Sequence, residues 1–328
     1  MRTISWGMIG CGDVTEVKSG PGFQKAKHSR LLAVMRRNGE MAKDYARRHG
    51  VAKWYDTADA LIADPEVDAV YIATPPYAHK PYTLKAARAG KPVYVEKPMA
   101  MNFAECQEML EACRAANVPL LVAYYRRALD RFLKVKQIVE TSQIGQPRAV
   151  TIALYRTYVP PPPGDAADWR VDPAVAGGGR FVDMACHTLD FLDYVLGPIR
   201  TAHGLATNQA KHYLAEDNVA AAFDFASGVQ GTGLWWFASP VAMDRTEILG
   251  TRGRVTFASF EETPILLQIG GQTTECAIPH PAHVQQPLIQ TVVDQLNGHG
   301  LCPSTGETAA RTSWVMDQIL ASYRAGHS

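Results

Sequence analysis

A chain of 328 residues, 47% hydrophobic and 20% charged, is long enough to bury two cores, and this composition excludes fibrous and disordered classes. Thirty-three lysines and arginines against 32 aspartates and glutamates leave a net charge of +1 with no long run of one sign. That excludes nucleic acid and anionic membrane as partners held by bulk electrostatics and points to a small-molecule substrate.

No run of about 18 apolar residues is present, and Met1 leads within two residues into a strand-like segment, so neither a transmembrane span nor a signal peptide is expected and a cytoplasmic location follows. The six cysteines (Cys11, Cys106, Cys113, Cys186, Cys276, Cys302) show no CxxC pair and no Cys/His ligand spacing. They read as reduced thiols, with no metal site.

Residues 4–9 (ISWGMI) read as a buried strand running into the turn Gly10-Cys11-Gly12-Asp13-Val14, followed by Thr15. A helix over 14–27 follows, interrupted at Gly20-Pro21-Gly22. Strand, tight turn and helix form the context of a GxGxxG dinucleotide site, where glycines let a pyrophosphate approach the backbone and the helix N-terminus receives its charge. Thr15 replaces the third glycine, and the residues by themselves also fit a plain strand-to-helix turn.

Residues 31–35 (LLAVM) form a second buried strand. An NAD-binding unit usually ends this strand with an acidic residue for the ribose 2′-hydroxyl, and here Arg36 and Arg37 stand instead. Guanidinium groups suit a 2′-phosphate, so NADP(H) is the preferred cofactor and NAD(H) the alternative. The competing reading makes them two solvated arginines at the start of a surface helix.

A helix over 41–49 stops at Gly50, 54–55 is a short strand, Asp56 or Thr57 caps a helix over 58–63, and 67–73 (VDAVYIA) returns as a core strand. It ends in Thr74-Pro75-Pro76-Tyr77-Ala78-His79, a loop at the strand end where doubly wound sheets place their ligands. Thr74 and Pro75 read as cofactor-binding; His79 either touches the cofactor or only begins the helix over 80–89. A strand over 93–95 then ends in Glu96-Lys97-Pro98, where Pro98 restricts Lys97 to an extended conformation at the rim of the sheet. Asn102 and Glu105 form a capping box for a helix to Ala116, and 118–123 is the last strand. Strands alternate with helices throughout, so residues 1–123 read as a parallel doubly wound domain and 124–328 as a second one, the part to which the resemblance named below assigns substrate binding.

In the second part, three glycines at 177–179 run into an amphipathic helix over 181–196 on which Asp183 and His187, four residues apart, share a face. That sets a carboxylate beside a general acid/base, although the same spacing also describes an ordinary i,i+4 pair. Cys186 points about 100° away from His187 on a helix, which argues against a thiolate nucleophile.

The segments GCGDVT, TPPYAH, YVEKP and GGGRFVDMACHTLD resemble the glucose-fructose oxidoreductase, inositol dehydrogenase and MocA (Gfo/Idh/MocA) family, with matching order and spacing over essentially the whole chain. The specific part is EKP with a later D-x3-H-x2-D; GxG alone is not specific. The resemblance implies an α/β fold: an N-terminal Rossmann domain, then an α/β domain with a large open, mostly antiparallel sheet, the active site lying between them. It also implies that Lys97, Asp183 and His187 are catalytic. His187 would move the hydroxyl proton and Lys97 would hydrogen-bond the same oxygen while hydride passes between a nicotinamide and a sugar, ketosugar or cyclitol. In the family's sugar reductases a Trp-Arg pair contacts the nicotinamide side of the cofactor, which points to Trp169 and Arg170; Trp169 also fits a loop anchored to the core. Glu96 joins the cofactor set with Lys97.

The rest of the chain is consistent with this. A helix over 129–141, a strand over 149–157, an extended loop at Pro160 to Pro163, a meander of short strands from 201 to 278 and closing helices over 285–296 and 308–323 are expected. By family analogy the sheet makes a homodimer or homotetramer, with Trp235, Trp236 and Phe237 as interface aromatics unless they are core. The stretch TYVPPPPGDAADWR resembles the 1,5-anhydrofructose reductase branch, in which NADPH reduces a ketosugar, while the arginine pair and Tyr124-Tyr125 depart from it. Other relatives are NAD-dependent glycosidases or non-catalytic dinucleotide sensors. The sensors tend to lose the lysine and histidine that this chain keeps.

Overall fold

Strand β1 (Ile4–Ile9) is buried along its whole length, the signature of a parallel strand covered on both faces. The computed structural model describes residues 1–160, 162 and 168–326, so Pro161 and Pro163 of the expected proline loop lie outside the described residues. The chain divides into two compact units, Met1–Leu129 with Pro281–Ala310 and Asp130–His280 with Arg311–Ser328.

In the first unit six strands run in the order β3-β2-β1-β4-β5-β6, all parallel, with β2 Ser29–Met35, β3 Lys53–Tyr55, β4 Ala69–Ile72, β5 Val93–Val95 and β6 Leu120–Val122. This is the doubly wound order, reversing direction between β1 and β4. The helices start where short polar side chains cap them: Asn38 accepts from Met41 N–H on α2 (Gly39–His49), Thr57 from Ala60 N–H on α3 (Ala58–Ala63) and Asn102 from Glu105 N–H on α5 (Phe103–Ala115). Gly50 ends α2 at φ 65°, a left-handed position that suits glycine.

The expected break at Gly20-Pro21-Gly22 is absent. A π-helical turn at Thr15–Ser19 passes directly into α1 (Gly20–Lys25), with Gly20 N–H bonded to Thr15 O and Tyr45 Oη donating to the same carbonyl at 2.9 Å. A Cβ on Gly20 would lie 2.4 Å from Tyr45 Oη, so glycine makes room for the hydroxyl, and Pro21 sits in the first turn of α1, where its missing N–H costs little.

Pro281–Ala310 belongs to this unit, unlike a linear division at residue 123. Helix α9 (Gln286–Leu296) buries Leu288, Ile289, Val292 and Val293 in the same core as Trp6, Phe23 and Tyr94. Each such side chain contributes about 1.5–3 kcal/mol on burial, which fixes the returning segment here.

The second unit is built on an eight-stranded sheet in the order β14-β13-β12-β11-β7-β10-β9-β8, antiparallel except for β7 beside β10. Its strands are β7 Pro147–Tyr155, β8 Ile199–Thr207, β9 Asn218–Phe225, β10 Gln230–Trp236, β11 Met243–Gly250, β12 Gly253–Phe257, β13 Ile265–Ile269 and β14 Gln272–Cys276. Helices α6 (Asp130–Glu140) and α8 (Arg180–Leu196) pack on it. Alternation sorts the aromatics: Trp235 is 0% exposed and meets Phe181 of α8 edge-on with ring centroids 5.0 Å apart, and Phe237 is buried as well. Only Trp236 takes the outer face. There it pairs in register with Tyr155, which in turn opposes Met243.

Candidate functional site

In the first unit the turn after β1 begins at Gly10, whose φ of +94° and whose absent Cβ, 2.9 Å from Ala73 O, require glycine. Gly12 faces open space, with no atom of the described residues beyond its chain neighbours within 4 Å of where a Cβ would stand. Asp13 is exposed and Val14 half-buried at the start of the helical segment. Thr15, in place of the third glycine, is buried, with its Oγ1 donating to Gly12 O at 2.7 Å and its N–H bonded to the same carbonyl, so it closes the turn with its own side chain. Cys11 is packed inward with Sγ on Met35 O, and burial pushes its pKa up to about 11, leaving a neutral thiol.

Arg36 turns onto this loop, Nη1 3.4 Å from Cys11 O, while Arg37 is exposed. Thr74, on the loop after β4, stands against Gly10 and has a buried Oγ1 with no hydrogen-bond partner among the described residues. An open glycine turn, a guanidinium beside it and an orphaned hydroxyl at the reversal of strand order fit a dinucleotide and its phosphates. Pro75 is half-buried and extended at ψ 152°.

His79 opens α4 (His79–Arg88) and is fully buried. Its Nε2 lies 2.7 Å from Thr74 O, and its Nδ1 3.0 Å from Pro98 O and 3.3 Å from Met99 O. Glu96 points inward, accepting from Tyr71 Oη and Gln285 Nε2, both at 2.6 Å. Within the buried stretch from Val93 to Ala100, Lys97 alone is half-exposed.

In the second unit α8 carries Asp183, half-buried, and His187, 4% exposed, one turn apart on one face. The His187 ring meets Phe260 edge-on at 5.9 Å. Asp244 on β11 accepts from the N–H groups of Ser259, Phe260 and Glu261, and thereby fixes the turn that bears Phe260. Cys186 is fully buried with Sγ on Asp183 O, away from any role as an exposed nucleophile.

The turn Trp169–Val171 lies beside this helix, with Arg170 Cζ 4.5 Å from the Trp169 ring centroid. Asp168 pairs with both Arg170 and Arg180, and Arg180 reaches Asp183 at 3.9 Å. Buried Glu216 accepts from Gly179 N–H at 2.8 Å and ties the glycine turn to the start of β9. Glu216, Asp244 and Phe260 escape sequence reasoning, because only the fold brings them to α8, and the pairing of Arg180 with Asp168 escapes it for the same reason. The one local signal was the triple glycine, whose small size lets Glu216 in.

Residues 4–124 match the family model of an oxidoreductase family with an NAD-binding Rossmann fold, and residues 132–256 match the GFO/IDH/MocA C-terminal domain. Oxidoreductase P35 of Formosa agariphila is 39% identical over 317 residues, 96% of this chain and 97% of that protein. The 1,5-anhydro-D-fructose reductase of Ensifer adhaerens is 28% identical over 328 residues, 98% and 95% of the two chains. The crystal structure of aldose-aldose oxidoreductase from Caulobacter crescentus complexed with glycerol matches with a TM-score of 0.87 at 27% identity, over 99% of this chain and 98% of that one.

Proposed function

The chain belongs to the Gfo/Idh/MocA family of NAD-binding oxidoreductases, and from that membership we propose that it transfers hydride between a nicotinamide cofactor and a carbon of a sugar, ketosugar or cyclitol. The observation that carries the reading is the open turn at Gly12 with Arg36 directed onto it and the Thr74 hydroxyl left over beside it. Relatives that act on carbohydrates, among them the anhydrofructose reductase and the aldose-aldose oxidoreductase, support the substrate class.

When bound, the nicotinamide supplies the hydride acceptor or donor. The protein's groups then divide the remaining work. His187 takes the hydroxyl proton in oxidation and returns it in reduction, Lys97 hydrogen-bonds the reacting oxygen and stabilises its alkoxide character, and Asp183 orients these groups. Gly10, Cys11, Gly12, Asp13 and Val14 line the pyrophosphate turn; Thr74, Pro75 and Glu96 frame the cofactor's side of the sheet; Trp169 and Arg170 take the nicotinamide side. The outer face of the second sheet, with Tyr155, Leu234, Trp236 and Leu205, the last 76% exposed, is the surface for a homodimer or homotetramer. The cytoplasm is the compartment in which we expect it to act.

Nicotinamide absorbance followed with NADPH and NADH against ketosugars and inososes, and in reverse with sugars and cyclitols, tests the reading: net cofactor turnover is expected. Tight cofactor binding without turnover across the panel would overturn it in favour of a transiently oxidising glycosidase or a dinucleotide sensor.

The cofactor preference has its own test. Arg36 pairs with a 2′-phosphate, so NADP(H) is preferred over NAD(H). Arg36→Asp is expected to weaken NADPH binding relative to NADH by roughly ten- to a hundredfold, the worth of one charge-assisted hydrogen bond replaced by a repulsion. An unchanged ratio of dissociation constants would remove Arg36 from the phosphate site.

A further inference from the structure

The last backbone bond of the β4/β5 ladder is Glu96 N–H to Ile72 O. Beyond it the two chains separate, one into the Thr74 loop and the other into Lys97-Pro98-Met99. The next connection is a side chain: the His79 imidazole spans the gap, Nε2 on Thr74 O at 2.7 Å and Nδ1 on Pro98 O at 3.0 Å and Met99 O at 3.3 Å. Thr74 lies two residues past Ile72, and Pro98 two past Glu96. The ring therefore stands where a further ladder bond would be if the strands continued.

We propose that His79 is a positioning residue that clamps the Thr74 loop to the Lys97-Pro98-Met99 segment, holding the cofactor-facing hydroxyl of one and the lysine of the other at a fixed spacing. The inference rests on the hydride-transfer reading, in which Thr74 faces the cofactor and Lys97 the reacting oxygen. It assigns His79 no contact with either ligand, because the side chain is fully buried and both ring nitrogens are taken up by main-chain carbonyls. The carboxylate of Glu96, at the end of the same ladder, is held by Tyr71 and Gln285 and makes no bond to the ring. Carbonyl oxygens only accept, so a neutral ring with one N–H satisfies one side and a protonated ring both. The two-sided clamp is therefore the work of the protonated ring: burial pushes the His79 pKa below its ordinary value, while the Thr74, Pro98 and Met99 carbonyls favour the charged form.

Amide variants separate the two sides, since an Asn nitrogen stands near the position of Nδ1 and a Gln nitrogen near that of Nε2. Steady-state kinetics on the panel above, with cofactor dissociation constants from NADPH fluorescence and melting temperatures for each protein, read the result. His79→Ala is expected to lower kcat and to weaken cofactor binding, each by about tenfold, the worth of one buried hydrogen bond. His79→Gln, still reaching Thr74 O, should recover cofactor binding to within about threefold of wild type, and His79→Asn, still reaching Pro98 O, should recover kcat to a similar extent. Recovery of either parameter by the matching amide supports the clamp on that side. If both amides fall with alanine in both parameters, or if all three variants change only the melting temperature, the clamp is overturned. Turnover by the wild-type protein in the same assay reports on the hydride-transfer reading separately, and the fluorescence titration tests the Thr74 side even without turnover.

Discussion

Lys97→Ala and His187→Ala are each expected to lower kcat by roughly a hundred- to ten-thousandfold, the range for loss of a positioned proton-transfer or charge-stabilising group. The dissociation constant for NADPH should stay within about threefold of wild type, because neither change removes a group that anchors the dinucleotide. In the proposed reading that anchoring belongs to the turns after β1, β2 and β4, at Gly10 to Val14, Arg36 and Thr74. His187 stands on α8 with its ring edge-on to Phe260, and the alanine variant removes the imidazole from that place. Lys97 is the half-exposed member of a buried stretch whose backbone is set by Glu96 and Pro98, so its truncation leaves the segment in place. Rapid-mixing or steady-state kinetics beside a fluorescence titration separates the two parameters. Full turnover in either variant would remove that residue from the mechanism, and an equal loss of cofactor affinity would make its role one of binding.

The same residues show how much of the molecule was legible in the sequence. Parallel strands announce themselves as short unbroken apolar runs, and those at 4–9, 31–35 and 93–95 fall on β1, β2 and β5 because both of their faces are covered. The cap at Asn102 was legible, and the one at Asp56 or Thr57, which the structure places on Thr57, was legible to within one residue, for a similarly local reason, a side chain bonding to a backbone N–H three residues on. Long-range features were not. Whether Gly20-Pro21-Gly22 breaks or continues a helix depends on Tyr45, 25 residues beyond Gly20, whose hydroxyl fills the space a Cβ would take. The inward turn of Glu96 depends on Gln285, and the placement of 281–310 in the first unit depends on four apolar residues of α9 that could have served either core. Among the adjacent aromatics at 235–237, composition cannot say which faces outward, since a shift of one residue exchanges the two faces of a strand; pairing with Tyr155 sets the parity. That Asp183 and His187 share one face of a helix was readable from their spacing, whereas the residues packed around them were not.

That shell makes the second strong prediction. Gly179 is the N-cap of α8, and a Cβ there would lie 2.7 Å from Ala215 Cβ and 2.9 Å from Glu216 O. Neither neighbour is a flexible side-chain end, so Gly179→Ala must move the glycine turn or the start of β9. Overpacking of this kind costs about 1–3 kcal/mol, and a displacement of about 1 Å at the N-terminus of the helix that carries Asp183 and His187 is expected to lower kcat about a hundredfold. Melting temperature and kcat measured together check this; a variant with wild-type kcat would show that the turn gives way without moving the helix. Glu216→Gln is the control, because it keeps an oxygen for Gly179 N–H and changes only charge. Burial holds the Glu216 carboxyl above its ordinary value of 4.5, so the fold binds this proton more tightly than the unfolded chain does. Stability is therefore lost as pH rises from the ordinary value through the raised one. The glutamine variant should melt at or above the wild-type temperature at pH 7, with the difference closing as the pH falls to about 4.5. A lower melting temperature at pH 7 that recovers in acid would mean that the ionised carboxylate is stabilised where it lies, and that the glycine turn is held by charge as well as by fit.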